Sequence, residues 1–420
     1  MRLVSSAVAV LMALAFAAAS GGAARVDETL TMDSAIAAAL AENPDLASAG
    51  HELDAARARP PQAASPPDPE FMVDFIGVPI NTADVTQGTI QYMGEQQIPF
   101  PAKLVYGYKA EKRAADAAFS RKETAAQELV RQVKRAYLDL WRLSEEERIE
   151  HEAFAIFHQG KGSAEESYAN LKGPVSEPVR ASVELGDIEG KIAIIEQDRL
   201  AAIAELSKLM AKPLDPSVKL AEPPPPPDVA GVEKLVAKAR EQRPEVAEAD
   251  SEILSQRAKL SFAKSQYGPD LTLRLGYMDN PAGVLNAWYG RAGITVPLWS
   301  FSKQRFGVKE SKAMLERAQS LKDSAVLKAE SDVKIAYARI NAAQKTARIY
   351  GATVLPRARV LLASSREAYA SGNGDFLGVV DAIRSLSNAQ LMYVRARVDA
   401  AQAFADLERA VGAPLKEDEK

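Results

Sequence analysis

Few side chains in this 420-residue chain could do chemistry. There are three His and no Cys, so disulfide scaffolds, thiol nucleophiles, iron–sulfur clusters and thiolate zinc sites are excluded. His151 and His158 stand seven residues apart, which on a helix sets them two turns apart on a similar face, too far to share one metal without another element. His51-Glu52 lacks the second His of a zinc-protease helix. Met72, Met93 and Met278 carry thioethers, soft ligands able to pass Cu(I), although methionine more commonly fills gaps in packing. No nucleophile elbow, phosphate loop or carboxylate pair in a Gly-rich cleft occurs, so the sequence points to no enzyme, resident metal or cofactor. Among the carboxylates, Asp375 stands beside a break in helical pattern, where it would stabilise the first turn of a helix.

The elements that hold these residues follow from composition and pattern. Charged residues make up 26% and hydrophobic residues 47%, the balance of a folded protein. With 52 Lys and Arg against 56 Asp and Glu the net charge is -4, which leaves no surplus to neutralise a nucleic-acid backbone. Met1-Arg2 followed by the small, apolar Leu3 to Ala19 reads as a secretory signal over 1–24, cleaved near Ala19 or Ala24. It has no Cys, so it is not a lipoprotein signal. Downstream, no run of about 18 apolar residues offers a spanning helix, which leaves an exported soluble protein or a β-barrel.

The remainder is written twice. Asp33 to Ala39, running to Asn43-Pro44-Asp45-Leu46, matches Glu233 to Ala239, running to Arg243-Pro244-Glu245-Val246. Ile98-Pro99-Phe100 matches Val296-Pro297-Leu298, Tyr168 matches Tyr369, Leu185 matches Leu386, and Lys212-Pro213-Leu214 matches Ala413-Pro414-Leu415. A first repeat over 25–222 and a second over 231–415 are thus expected. The Pro-rich linker 223–230, with five consecutive prolines, joins them in an extended form; 416–420 reads as a disordered tail. Each repeat opens with a helical segment, about 32–64 and 231–266. Two strands follow: Phe71 to Val78 and Thr89 to Ile98 in the first, Leu271 to Tyr277 and Ala287 to Val296 in the second. Long helical stretches rich in Ala, Leu, Glu, Lys, Arg and Gln complete each half.

Ser302 to Ser371 is about 70 residues, a rod on the order of 100 Å at 1.5 Å per residue. Pro356 is expected to kink it. Such a rod survives only by lateral packing, for which Ala325, Ala329, Val333, Ala336 and Ile340 supply a stripe. The stripe alone fits a coiled coil equally well. Four strands cannot close a membrane barrel, since bacterial barrels have at least eight and open edges are not tolerated in lipid. Three chains would supply twelve, in a cyclic homotrimer.

The double repeat, its paired Asn43-Pro44-Asp45-Leu46 and Arg243-Pro244-Glu245-Val246 openers and its Pro-marked strand exits resemble the TolC family of outer-membrane efflux channels over nearly all of the mature chain. The resemblance implies a mainly α fold with a small β part, in which long helical hairpins form an α-barrel and four strands per chain join a trimeric 12-stranded outer-membrane β-barrel. Pro99, Pro101 and Pro297 would mark the passage from barrel to helices, and Trp288 and Tyr289 an interfacial aromatic girdle. Gly173, Pro174, Gly372, Asn373, Gly374, Asp375 and Asp381 would form the periplasmic tips and aperture. Asp381 matches the acidic position that lines the family's aperture. The implied location is the outer membrane, extending into the periplasm. The implied partners are outer-membrane lipid, a periplasmic adaptor and an inner-membrane pump of the resistance-nodulation-division type, with no nucleic acid. Gln96-Gln97-Ile98-Pro99-Phe100-Pro101-Ala102-Lys103-Leu104 is similar to a segment of heavy-metal efflux members, with Ala102 where Gly is usual; metal ions and organic solutes both stay open as cargo. The competing reading is a periplasmic coiled-coil spacer that spans no membrane. The strands separate the two: a channel needs a lipid-facing apolar side with aromatic belts, a spacer a polar outer face.

Overall fold

A computed structural model describes residues 29–415 except 79, 82, 85–86, 171–173, 228, 230 and 281–285. The expected signal and tail lie outside the described residues, as does Gly173. Each half opens with a helix pair broken at Pro44 or Pro244: α1 (Met32–Glu42) and α2 (Pro44–Ala64), then α5 (Val232–Gln242) and α6 (Pro244–Ser265). Proline is tolerated at the first position of a helix and forces the preceding residue extended. Accordingly Asn43 and Arg243 have ψ of 124° and 123°. Two strands and a long hairpin complete each half: β1 (Glu70–Ile76), β2 (Thr89–Ile98), α3 (Pro101–Ala169) and α4 (Ser176–Met210), then β3 (Asp270–Asp279), β4 (Ala287–Thr295), α7 (Lys303–Ile349), α8 (Leu355–Ala370) and α9 (Phe376–Val411).

The 69 residues of α3 run unbroken, about 100 Å at the usual rise. The matching rod of the second half bears Pro356, expected to kink it. The observed adjustment is a turn of π-helix over Tyr350–Val354 immediately before α8, whose second residue is Pro356. This change of hydrogen-bond register falls where the missing proline N–H would otherwise leave a gap in the ladder. Gly351 lies in that turn under Tyr393, whose Cε2 would stand 2.7 Å from an added Cβ.

The long helices bury narrow stripes. Of the expected stripe on α7, Ala329, Val333, Ala336 and Ile340 are buried, together with Leu235, Val236 and Leu407. The first half repeats this with Ala35, Ala39, Val133, Leu140 and Leu206. Nearer the tips Phe157, Leu185, Phe376, Val380 and Ile383 form a further core. The matched end motifs also meet in space. Asn43 donates from Nδ2 to the Leu209 carbonyl at 2.9 Å, while Gly412, at φ 85°, packs so closely on Arg243 that a Cβ would fall 2.6 Å from its Cα. The four strands form one antiparallel sheet in the order β1-β2-β3-β4, so β1 and β4 are its edges.

Candidate functional site: sheet, transition and tip

The register sorts every strand residue onto one of two faces, because side chains alternate and paired residues share a side. Val73, Tyr92, Tyr277 and Trp288 form one row; Phe71, Gly94, Leu275 and Gly290 the next; and Ile98, Leu271 and Ile294 another. Among the described strand residues, Gln96 and Asp279 are the only strongly polar ones on this face. It is exposed: Phe71 is 84% exposed, Trp288 72%, Ile294 67% and Leu275 61%. The opposite face carries Glu70, Glu95, Arg274 and Arg291 in one row and Asp74, Gln91, Met278 and Ala287 in another, with an Arg274–Glu95 ion pair. A sheet of a water-soluble domain buries its apolar side; this one leaves its apolar side exposed. Trp288 packs against Tyr277 on the apolar face, ring centroids 5.2 Å apart and planes tilted by 52°. Tyr289 does not join it. As the next residue along β4 it turns to the polar face, where its ring covers Gly276.

At the foot of the sheet, Asp270, the first residue of β3, holds the start of α3. Its Oδ1 accepts the Phe100 N–H at 2.8 Å and the Lys103 ammonium at 2.7 Å. Pro101 opens α3 at a position where no N–H is needed. Pro99 and Pro297 lie in the short segments after β2 and β4. Beside Pro297 the exposed Leu298, Trp299, Phe301 and Phe306 form a second aromatic group, with Trp299 and Phe301 rings 6.1 Å apart. Trp299 is 70% exposed.

At the far end, Gly372 takes φ 74°, open to glycine without strain. The Asn373 N–H closes the turn onto the Ala368 carbonyl at 2.9 Å, and the Asp375 carboxylate caps α9 by accepting from the Gly378 N–H at 2.9 Å. Gly374 packs on Ala368, and Pro174 lies in the loop that precedes α4. Asp381 is exposed on α9, whereas its neighbours Val380 and Ala382 are buried. Two contacts missed in the sequence join this tip to α4. The Tyr369 hydroxyl donates to Glu177 at 3.0 Å, and Arg384 donates to both oxygens of the buried Glu184 at 3.0 and 2.5 Å. Burial, reinforced by Glu177, pushes the Tyr369 hydroxyl up to about 12. Among the described residues no cluster of His, Asp and Glu could hold a metal, and no helix is long and apolar enough to cross a membrane.

Residues 235–413 match the model of the outer membrane efflux protein family. The chain is 22% identical over 392 residues to the cobalt-zinc-cadmium resistance protein CzcC of Cupriavidus metallidurans, covering 91% of this chain and 90% of that one. Its fold is similar to CusC (TM-score 0.78, 17% identity, 94% and 96% of the two chains) and to the outer membrane protein VceC of Vibrio cholerae (TM-score 0.76, 19% identity, 91% and 96%). The repeated helix, strand pair and hairpin and these matches agree: the second half matches the outer membrane efflux protein family, and the chain as a whole has the fold of CusC and VceC.

Proposed function

We propose that this protein is the outer-membrane channel of a tripartite efflux system, a passive exit duct driven by an inner-membrane pump of the resistance-nodulation-division type through a periplasmic adaptor. The observation that carries the reading is the sheet's exposed apolar face bounded by the unpaired edges β1 and β4. In lipid an open edge is untenable, and pairing β4 of one copy with β1 of the next closes three copies into twelve strands, an even number within the bacterial range. The apolar face then meets lipid and the polar face lines the lumen. A coiled-coil spacer would have no use for such a face. The signal over 1–24 would be removed on export, and the chain would be anchored in the outer membrane by the barrel alone.

On this reading the long hairpins form the periplasmic tunnel. Pro99, Pro101 and Pro297 redirect the chain from barrel to tunnel, and the turns around Pro174 and Gly372 to Asp375 meet the adaptor. Asp381, exposed near the tip, becomes a ring of three carboxylates that favours cations. The similarity to a cobalt-zinc-cadmium resistance protein supports metal ions as cargo. The mature protein, purified from outer membrane in detergent, should be a trimer that forms pores in planar bilayers, and Asp381→Ala should lower its cation preference. A soluble monomer without pores would sink the channel, and a pore indifferent to Asp381 would remove the aperture role alone.

A further inference from the structure

The two edges of the sheet do not end level. Glu70, Glu95, Arg274 and Arg291 stand opposite one another in a single row across the four strands. On one side of that row β1 stops at once, β2 continues three residues to Ile98, and β3 and β4 continue four, to Asp270 and Thr295. On the other side the order reverses, with β1 running six residues to Ile76 and β4 only four to Ala287. The sheet thus steps along its strands from one edge to the other, as the tilted strands of a barrel must. The row also leaves a charge over. Arg274 pairs with Glu95, whereas Arg291, directly opposite Arg274, has no ion pair among the described residues. Asp74 on the edge strand β1 likewise has none, and both are exposed.

We infer that β4 of one copy pairs with β1 of the next at a stagger of four residues, which sets Arg291 opposite Asp74 of the next copy on the lumen side. The inference rests on the channel reading, which supplies the threefold barrel but not the register of its seams. Only an even stagger keeps the apolar sides of the two strands together. A level join would also set a carboxylate, Glu70, opposite Arg291, but without stagger the strands could not tilt. Four residues rise about 13 Å and four strands are about 19 Å wide, which gives a tilt of about 35°, in the usual range. Two residues give about 19°, too upright. Six give about 46°, push Glu70 and Phe71 past the end of β4 and set Ile76 against Arg291. At a stagger of four, all seven residues of β1 face β4, from Glu70 opposite Thr295 to Ile76 opposite Tyr289. The apolar side then continues across the seam, with Phe75 opposite Gly290 and Val73 opposite Ala292. Within the chain Phe71 already covers a glycine in this way, 3.4 Å from where a Cβ on Gly94 would stand.

The chain has no Cys, so introduced pairs report the register. Directly opposed residues have Cβ atoms about 4.5–5.5 Å apart, near the span of a disulfide, whereas a displacement of four residues adds about 13 Å. Cells making Arg291→Cys combined with Asp74→Cys, with Glu70→Cys or with Ile76→Cys would be oxidised with copper phenanthroline and read on non-reducing gels. The Asp74 pair should give at least tenfold more intersubunit product than the Glu70 pair, and more than the Ile76 pair. Independently, Asp74→Arg should lower the temperature at which the trimer dissociates in detergent, and adding Arg291→Asp should recover most of the loss. Preferred cross-linking of the Glu70 or Ile76 pair, no product from any pair in a pore-forming trimer, or a loss without recovery would overturn the register and leave the channel standing. A soluble native protein that is monomeric and without pores would instead remove the channel reading and the inference with it.

Discussion

Leu275→Arg puts a cation in the middle of the apolar face. The ten residues of β3 span about 33 Å, and at a tilt of about 40° this gives a height of about 25 Å, the apolar band of an outer-membrane barrel. Leu275 is the sixth of the ten, near the midplane, where an outward Arg costs about 2–4 kcal/mol. Three copies in a trimer raise this to about 6–12 kcal/mol per assembly. Thr272→Arg, on the same strand but the polar face, should stay within about 1 kcal/mol of native. Folding from urea into phospholipid vesicles, followed by tryptophan emission, reads both variants. If Leu275→Arg cost no more than Thr272→Arg, the apolar face would not be in lipid and the reasoning would fail.

Other consequences concern the helices. Arg384→Ala leaves the buried Glu184 carboxylate without its guanidinium and should loosen the tip by about 1–3 kcal/mol, seen as raised single-channel conductance. Gly412→Ala combines a left-handed φ with a Cβ 2.6 Å from Arg243 Cα and should destabilise the end of the second repeat by about 1–3 kcal/mol in denaturant melts. The Tyr137 hydroxyl donates to the Leu30 and Ala221 carbonyls, and burial raises its pKa to about 12. A folded value above the ordinary 10 means its stabilisation is complete below pH 10 and lost as pH rises to 12; native protein should weaken over that window and Tyr137→Phe should show a flatter profile.

The sequence carried the repeat, the strand pairs and the proline-marked exits because each is local. Pro44 and Pro244 end one helix and begin another wherever they fall, and the Gly372 turn follows from conformational freedom at a single residue. The two faces of the sheet were hidden. Met72, Met93, Met278 and Ile76 blur the alternation on the polar side, and only the pairing of β2 with β3, across some 180 residues, separates them from Leu271, Leu273 and Leu275. Tyr289 was grouped with Trp288 by adjacency, but a period of two sends neighbours to opposite sides. The Arg384–Glu184 pair joins residues 200 apart, and no local signal marks it. Pro356 was legible as a disturbance, but the π turn over Tyr350–Val354 that precedes it was not.

The central claim is that the apolar face of the sheet meets lipid. The chain has no Cys, so single-cysteine variants can be spin-labelled without background. Labels along β3 at Leu271, Thr272, Leu273, Arg274 and Leu275, in the protein reconstituted into vesicles, would be read by relaxation with oxygen and with a water-soluble nickel chelate. The account predicts a period of two, with oxygen dominating at 271, 273 and 275 and nickel at 272 and 274. Equal access of the nickel chelate to both sets would contradict it.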